Sequence, residues 1–220
     1  MLWLGLAVFT WGSRRLHLAA GLLAVPGAII AAAHVPAYWN PATVARIGGV
    51  SPEDLVWIMA AGGISWYLAA FTWRARLTAA PKPRVVARRM LAIGAPAVLV
   101  MVGAAVVAEG RYVMPVNLGL MLVLAAVLGR LRPDGRVLAV SGALGFAGFH
   151  LLEDVVFLAS WPEAIGYWVP EAELPFRILG VPAYEVLWAA GYGAVWPLLV
   201  FFACDVRFTE PASSPGSRAG

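Results

Sequence analysis

The chain has 220 residues, of which 61% are hydrophobic and only 13% are charged. Typical globular domains are about 45–50% apolar and about 25% charged, so a soluble fold of this size could not cover so much apolar surface. The composition therefore excludes an independent soluble domain and predicts an all-α, polytopic membrane protein. A single cysteine, Cys204, excludes an internal disulfide and a cysteine-based metal cluster.

Several apolar segments come close to the roughly 20 residues that a helix needs to cross about 30 Å of hydrocarbon. In chain order they cover residues 16–35, 55–73, 90–108, 113–129, 137–152 and 186–204. A shorter apolar segment, 1–11, precedes them and is either a truncated first helix or a helix that only enters the membrane. We therefore predict about seven transmembrane helices, because open strands in lipid would leave backbone groups unpaired.

The basic residues predict the orientation of these helices. If the segment 1–11 is the first helix, 13 of the 16 basic residues fall in odd-numbered loops and in the C-terminal tail. By the positive-inside rule this side, with the C-terminus, is cytoplasmic. Orientation then explains the net charge of +4 better than nucleic-acid binding does. Since 15 of the basic residues are arginine, a bias typical of G+C-rich bacterial genomes, we expect a bacterial inner (cell) membrane.

Two blocks of the sequence share one pattern, with a Tyr-Trp-x-Pro loop, a Gly-Val turn, and an acid followed three residues later by tryptophan. The matched pairs are Tyr38 and Tyr167, Trp39 and Trp168, Asp54 and Glu185, and Trp57 and Trp188. Such a duplication predicts two three-helix repeats related by a pseudo-two-fold axis along the membrane normal. We assign residues 1–80 to the first repeat, 81–111 to a linker helix, 112–206 to the second repeat and 207–220 to a disordered cytoplasmic tail.

The matched acids are the first candidates for chemistry, because ionisable groups in transmembrane segments are costly and are functional by default. Asp54 and Glu185 each share a helical face with a tryptophan, Trp57 or Trp188. A carboxylic acid beside indole faces could protonate an alkene, the indoles could stabilise the carbocation, and a carboxylate could remove a proton afterwards. Alternatively, both acids favour helix N-termini, Ser51 caps a helix, and the tryptophans anchor the interface.

A second polar group lies on the predicted sixth helix, where His150, Glu153 and Asp154 share one face. It could serve as a proton relay or a metal half-site, or it could be the polar outer end of the helix. His34 has a comparable place in the first repeat, but nothing fixes a geometry for a divalent ion, and we assign no metal site. The candidate catalytic residues are Asp54, Glu185, Glu53, Glu153 and Asp154. The candidate substrate-binding residues are Trp57, Trp188, Tyr184, His34 and His150.

The two acidic helix starts read SPEDLVW at 51–57 and VPAYEVLW at 181–188. With the tryptophan loops before them, they resemble the lycopene cyclase domain of the heterodimeric or fused bacterial, archaeal and fungal type. In that family each three-helix unit has such a loop, followed by a Pro-x-Glu-Glu motif that opens a helix. Ser51 stands here in place of the proline in the first copy, and Tyr184 stands in place of the first acid in the second.

The resemblance implies an acid role for Asp54, Glu185 and Glu53, and cyclisation of the ends of lycopene to ionone rings without net redox change. No flavin or nicotinamide site is visible, and the need for a cofactor is left open. The expected partners are membrane lipid and an apolar polyene or isoprenoid substrate, with homo-oligomerisation left open. The alternatives are a non-catalytic protein that binds a lipid, a carotenoid or a partner subunit, and a proton-coupled transporter.

Overall fold

The computed structural model describes residues 14–27, 38–39, 50–79, 82–107, 112–169 and 174–209. This part of the chain is mostly helical, and five of its helices are long and apolar enough to cross a membrane. The prediction of an all-α chain with several membrane-spanning helices is confirmed to that extent. The predicted segment 1–11 lies outside the described residues, so the total of about seven helices stays a prediction.

Each described helix overlaps one of the predicted apolar segments, but several of the helix ends differ from the predicted ones. They are α1 (Arg14–Ala24), α2 (Pro52–Ala70), α3 (Pro83–Val107), α4 (Val113–Leu131), α5 (Arg136–Ser160) and α6 (Ala183–Ala203). Short 3-10 helices follow α2, precede α5 and follow α5, at Phe71–Arg76, Pro133–Gly135 and Pro162–Tyr167. Proline explains the break between α4 and α5, because the residue before a proline is disfavoured in helical geometry and Pro133 comes two residues after Leu131.

Two pairs of short antiparallel strands complete the described fold. β1 (Leu77–Thr78) pairs with β4 (Arg207–Phe208), and β2 (Arg177–Ile178) pairs with β3 (Val181–Pro182). The β2–β3 turn places Leu179 and Gly180 at φ angles of 52° and 88°, as the two central positions of a type I′ hairpin turn require. This hairpin leads directly into α6 and so fixes where that helix begins.

The β1–β4 pair corrects the predicted start of the tail. Residues 207–208 form β4, where the sequence analysis places the beginning of a disordered segment. Phe208 packs against Phe201 and Trp73, with ring centroids 5.7 and 5.9 Å apart. Strand pairing and aromatic packing therefore hold the chain beyond α6 against the body of the protein.

α6 is the central helix of the bundle and packs against α2, α3, α4 and α5. Its candidate membrane-spanning stretch is 67% buried, whereas that of α3 is 17% buried. The outer helices instead expose large apolar side chains, among them Leu99, Leu122, Leu144 and Leu152. Apolar surface of this kind on several helices is stable in lipid but would associate in water.

α5 and α6 approach each other most closely at two glycines. A side chain at Gly193 would collide with the backbone of Gly142, and a side chain at Gly142 would collide with the carbonyl of Gly193. Small residues allow this approach, which is the usual way in which membrane helices gain packing contacts. This contact holds together α5 and α6, the two helices that carry the ionisable residues described below.

α2 and α6 run in the same direction. Their C-terminal ends are followed by β1 and β4, which pair with each other. Near their N-terminal ends, the rings of Trp57 and Trp188 lie 5.2 Å apart. A backbone bridge between Trp39 and Trp168 joins the segments that precede the two helices. The parts of the chain with matched sequence patterns thus meet at one end of the bundle.

The opposite end of the bundle carries arginines that bind the C-terminal end of α6. Arg89 donates to the carbonyl of Phe202 at 2.7 Å, and Arg132 donates to the carbonyls of Phe201 and Val206. Both guanidinium groups lie 3.9 Å from Asp205. Cationic side chains at a helix C-terminus donate hydrogen bonds to its unpaired carbonyls and interact favourably with the negative end of the helix dipole.

Candidate functional site

Four ionisable side chains from α5 and α6 meet at the tryptophan end of the bundle. On α5, His150, Glu153 and Asp154 lie on one face, as their spacing predicts. Glu185 reaches that face from the first turn of α6. We call these four residues the acid–histidine cluster.

The ring of His150 lies at the centre of this cluster. Its Nε2 is 3.2 Å from Glu185 Oε2 and 3.5 Å from Asp154 Oδ2, and its Nδ1 is 3.4 Å from Glu153 Oε2. The ring also stacks on Phe146, with the two planes 8° apart. His150 is 4% exposed and Asp154 7%, whereas the Glu153 side chain is 49% exposed. The cluster therefore has a buried interior with one member at the surface.

Glu185 is held on both of its carboxyl oxygens. Oε2 lies next to His150, and Oε1 accepts a hydrogen bond of 2.7 Å from the indole nitrogen of Trp168. The Tyr38 hydroxyl interacts with the same carboxyl group. Backbone contact supports this arrangement, because the amide of Val169 donates to the Tyr38 carbonyl at 2.9 Å. Segments that precede α2 and α6 thus fix a side chain at the start of α6.

Asp154 is less completely satisfied than Glu185. Its Oδ2 is buried and accepts no hydrogen bond from the described residues. Nε2 of His150, at 3.5 Å, is its nearest described charge partner. Buried polar atoms without a hydrogen bond are few in folded proteins, and each one needs a physical explanation.

Aromatic rings line one side of the cluster. The ring centroids of Trp57 and Trp188 lie 6.2 and 5.7 Å from that of His150. Along α6, Tyr192 stacks on Trp188 at 5.1 Å, and Trp196 stacks on Tyr192 at 5.7 Å. The cluster thus stands at the end of an aromatic column that runs into the buried part of the bundle.

The acid–histidine cluster can bind protons and transfer them between its members next to the aromatic side chains. An imidazole contacts three carboxyl groups, each of which can donate or accept a proton according to its ionisation state. Burial strengthens the electrostatic interactions among His150, Asp154 and Glu185. The same donor set also resembles a cation site, because ligand atoms of His150, Asp154 and Glu185 all lie within 4.8 Å of one another.

Asp54, which the repeat pattern matches to Glu185, caps its own helix in the described contacts. Its carboxylate accepts from the Ser51 amide at 2.8 Å, and the Ser51 hydroxyl accepts from the Asp54 amide at 3.1 Å. This is a capping box at the start of α2. Among the described contacts none joins Asp54 to Glu185, because the Asp54 side chain turns back to its own helix start. Their matched tryptophans meet instead.

The remaining candidates divide between the cluster and its surroundings. Glu53 is exposed on the first turn of α2. Trp57 is 41% exposed and Trp188 is buried, and both border the cluster. Tyr184 packs edge-on against Tyr38, with ring centroids 6.4 Å apart. His34 lies outside the described residues.

Sequence reasoning missed three aromatic residues at this site. Trp168 and Tyr38 belong to the repeat pattern but are not among the candidate site residues, although their place in a matched loop before a candidate acid is a usable signal. Tyr192 lies four residues after Trp188, a spacing that places both rings on one face of α6. The contacts of these residues depend on how the loops pack over α6, which no local pattern specifies.

Comparisons with protein-family models, curated proteins and solved structures gave no match. The resemblance to the lycopene cyclase domain therefore depends on the sequence motifs alone.

Proposed function

We propose that the chain is a membrane-embedded isomerase of the lycopene cyclase type, which cyclises an apolar carotenoid or isoprenoid polyene by acid–base chemistry. The observation that supports this most is the buried contact between His150 and Glu185, 3.2 Å apart beside Asp154 and two tryptophans. Such groups are expensive to bury in a membrane protein and are functional by default.

The proposed reaction needs one proton to be added and one to be removed. A carboxylic acid of the cluster protonates a terminal alkene carbon, and the resulting carbocation closes a ring with a neighbouring double bond. A carboxylate then takes a proton from an adjacent carbon, so that the acid is regenerated and no electrons are gained or lost overall. Glu185 is the best placed carboxyl group for this exchange, because both of its oxygens are oriented by other side chains.

The aromatic residues support the carbocation step. The faces of Trp57 and Trp188 carry negative electrostatic potential, which attracts a cation that forms nearby. Trp57 is 41% exposed, so a polyene dissolved in the bilayer can reach it from the side. Trp188 continues into the aromatic column with Tyr192, which suits a flat conjugated chain.

We further infer that the fold arose by duplication, with residues 1–80 and 112–206 as repeats about an axis along the membrane normal. The common direction of α2 and α6 supports this inference, as does the contact between Trp57 and Trp188. The inner-membrane location with a cytoplasmic C-terminus belongs to the same proposal. The arginines at the far end of the bundle support that orientation.

The test is pigment analysis of lycopene-accumulating bacterial cells that express the protein. We expect the wild type to form cyclic carotenoids and Glu185→Gln to reduce their yield by at least about 100-fold, since general acid–base catalysis contributes roughly 10²–10⁴-fold. Glu163→Gln is the matched control, because it makes the same change at an exposed residue of the loop before α6. Membrane levels of each variant must be equal by immunoblot.

Asp54→Asn separates the two proposed roles of the first acid. The amide oxygen of asparagine can still accept the hydrogen bond from the Ser51 amide, so this variant should keep the wild-type yield if Asp54 acts as a cap. A loss of cyclic carotenoid equal to that of Glu185→Gln would indicate that Asp54 is also a catalytic residue. Unchanged lycopene in cells with abundant wild-type protein would contradict the cyclase proposal.

A non-catalytic binder of lipid or carotenoid is the second candidate. Tyr184 favours it, because this aromatic residue packs against Tyr38 at the position where the family has its first acid. In the same cells a binder would co-purify with unchanged lycopene, and Glu185→Gln would leave the pigment chemistry unaltered.

A further inference from the structure

We propose that His150, Asp154 and Glu185 form a binding site for one divalent transition-metal cation, with Zn²⁺ as the best match. The three residues supply one imidazole nitrogen and two carboxylate oxygens, which lie within 4.8 Å of one another. Zinc sites with three such protein ligands keep a fourth position open for water or another small ligand. The site follows from its own geometry and does not depend on the proposed isomerase activity.

The distances between the ligand atoms fit a tetrahedral centre. Bonds of about 2.0–2.1 Å to nitrogen and oxygen place neighbouring ligands of a tetrahedron about 3.3–3.4 Å apart. His150 Nε2 lies 3.2 Å from Glu185 Oε2 and 3.5 Å from Asp154 Oδ2. Two edges of the tetrahedron are thus present already.

His150 and Glu185 each make a hydrogen-bonding contact through the atom that would not bind the metal, as metal ligands in proteins usually do. A histidine that binds a metal through one ring nitrogen almost always donates from the other to a carboxylate, a carbonyl or water. Nδ1 of His150 lies 3.4 Å from Glu153 Oε2, so Nε2 is left to face Asp154 and Glu185. The indole N–H of Trp168 donates to Oε1 of Glu185 at 2.7 Å, which leaves Oε2 free to face Nε2 of His150.

The unsatisfied oxygen of Asp154 is an independent sign of a missing partner. This residue is 7% exposed, and its Oδ2 accepts no hydrogen bond from the described part of the chain. Nε2 of His150 carries at most one hydrogen, which cannot point at Asp154 and at Glu185 together. A cation bound to all three groups satisfies both carboxylates at once.

Charge balance favours the same occupant. A neutral imidazole, two carboxylates and a divalent cation have no net charge, whereas two buried carboxylates beside one imidazolium leave one negative charge uncompensated. Because a metal ligand must first lose its proton, a bound cation occupies the atoms that would carry the proton in the proposed isomerase. The cation should therefore suppress cyclisation if both proposals hold.

The experiment is a titration of the purified, full-length protein in a detergent solution free of chelators, with Co²⁺ as a coloured probe for Zn²⁺. We expect one equivalent of Co²⁺ to bind, with the visible absorption of a tetrahedral complex, and Zn²⁺ to displace it. Asp154→Asn and His150→Gln should each weaken binding by more than about 100-fold. Glu153→Gln, which alters only the outer contact, should weaken it by about 10–100-fold.

Glu163→Gln serves as the control, since it removes an exposed carboxylate away from the cluster and should bind Co²⁺ as the wild type does. Size-exclusion chromatography and circular dichroism verify that each variant is folded, and the nearly isosteric Asp154→Asn keeps the test decisive if His150→Gln unfolds. Absence of saturable binding by the folded wild type would overturn the proposal. Equal binding by the wild type and Asp154→Asn would do so too. No substrate is present, so either result is independent of the cyclase test.

Discussion

Trp168 shows how much a single hydrogen bond supports the acid–histidine cluster. Its indole N–H is bound to Oε1 of Glu185 at 2.7 Å, and its side chain is buried. Trp168→Phe removes the donor and leaves a buried carboxyl oxygen unpaired, which typically costs about 1–3 kcal/mol. We expect a lower midpoint of thermal unfolding in detergent. Trp161→Phe, at a tryptophan 57% exposed after the end of α5, should change it much less, and equal shifts would contradict this role.

Cys204 offers a second measurement on one side chain. It is the only cysteine and is 1% exposed, directly after α6. Burial raises the pKa of its thiol to about 11, and the positive charge of Arg89 offsets only part of this effect. Below that pKa the thiolate is scarce, so the native protein at neutral pH should react with N-ethylmaleimide far more slowly than protein unfolded in SDS. Similar rates in both states would show that the thiol is accessible.

At the scale of helices, the glycine contact between α5 and α6 positions the cluster. Gly193→Leu introduces a side chain where the backbone of Gly142 and the side chain of Phe146 already lie. The helices must separate, so we expect severe destabilisation and loss of Co²⁺ binding together. Gly148→Leu is the matched control, because nothing lies within 4 Å of a side chain at that position of α5. A well-folded Gly193→Leu protein with intact binding would contradict this packing.

The sequence predicted these helices well but predicted the contacts between them poorly. Apolar length and flanking charges locate α2, α4 and α6 within about three residues, whereas α3 begins seven residues before its predicted segment and α5 ends eight residues after its own. The capping role of Ser51 follows from its position before an acidic first turn. The shared face of His150 and Asp154 also follows from helical spacing. Their contact with Glu185 does not, since it depends on the rotation of α6 against α5. The repeat pattern likewise matches Asp54 to Glu185 without showing which way either side chain points.

The two ends of the described bundle carry different charged clusters. One end holds the acid–histidine cluster with its tryptophans, and the other holds Arg89 and Arg132 at the C-terminus of α6. The positive-inside rule predicts that the arginine end faces the cytoplasm. In that proposed orientation the cluster would lie toward the outer half of the membrane. A polyene would meet it from the lipid, and a soluble cation would meet it from the outer side.

Cysteine labelling tests this orientation directly. In a Cys204→Ala background, Glu163→Cys places a thiol in the exposed loop before α6, and Asp134→Cys places one in the exposed loop before α5. A membrane-impermeant maleimide added to intact bacterial cells with a permeable outer membrane should label Glu163→Cys. It should label Asp134→Cys only after the inner membrane is disrupted, since the positive-inside rule predicts that this loop, with Arg132 and Arg136, lies on the cytoplasmic side. The reverse labelling pattern would show that the protein has the opposite orientation, with the cluster toward the cytoplasm. Labelling of both loops in intact cells would contradict a membrane-spanning α5.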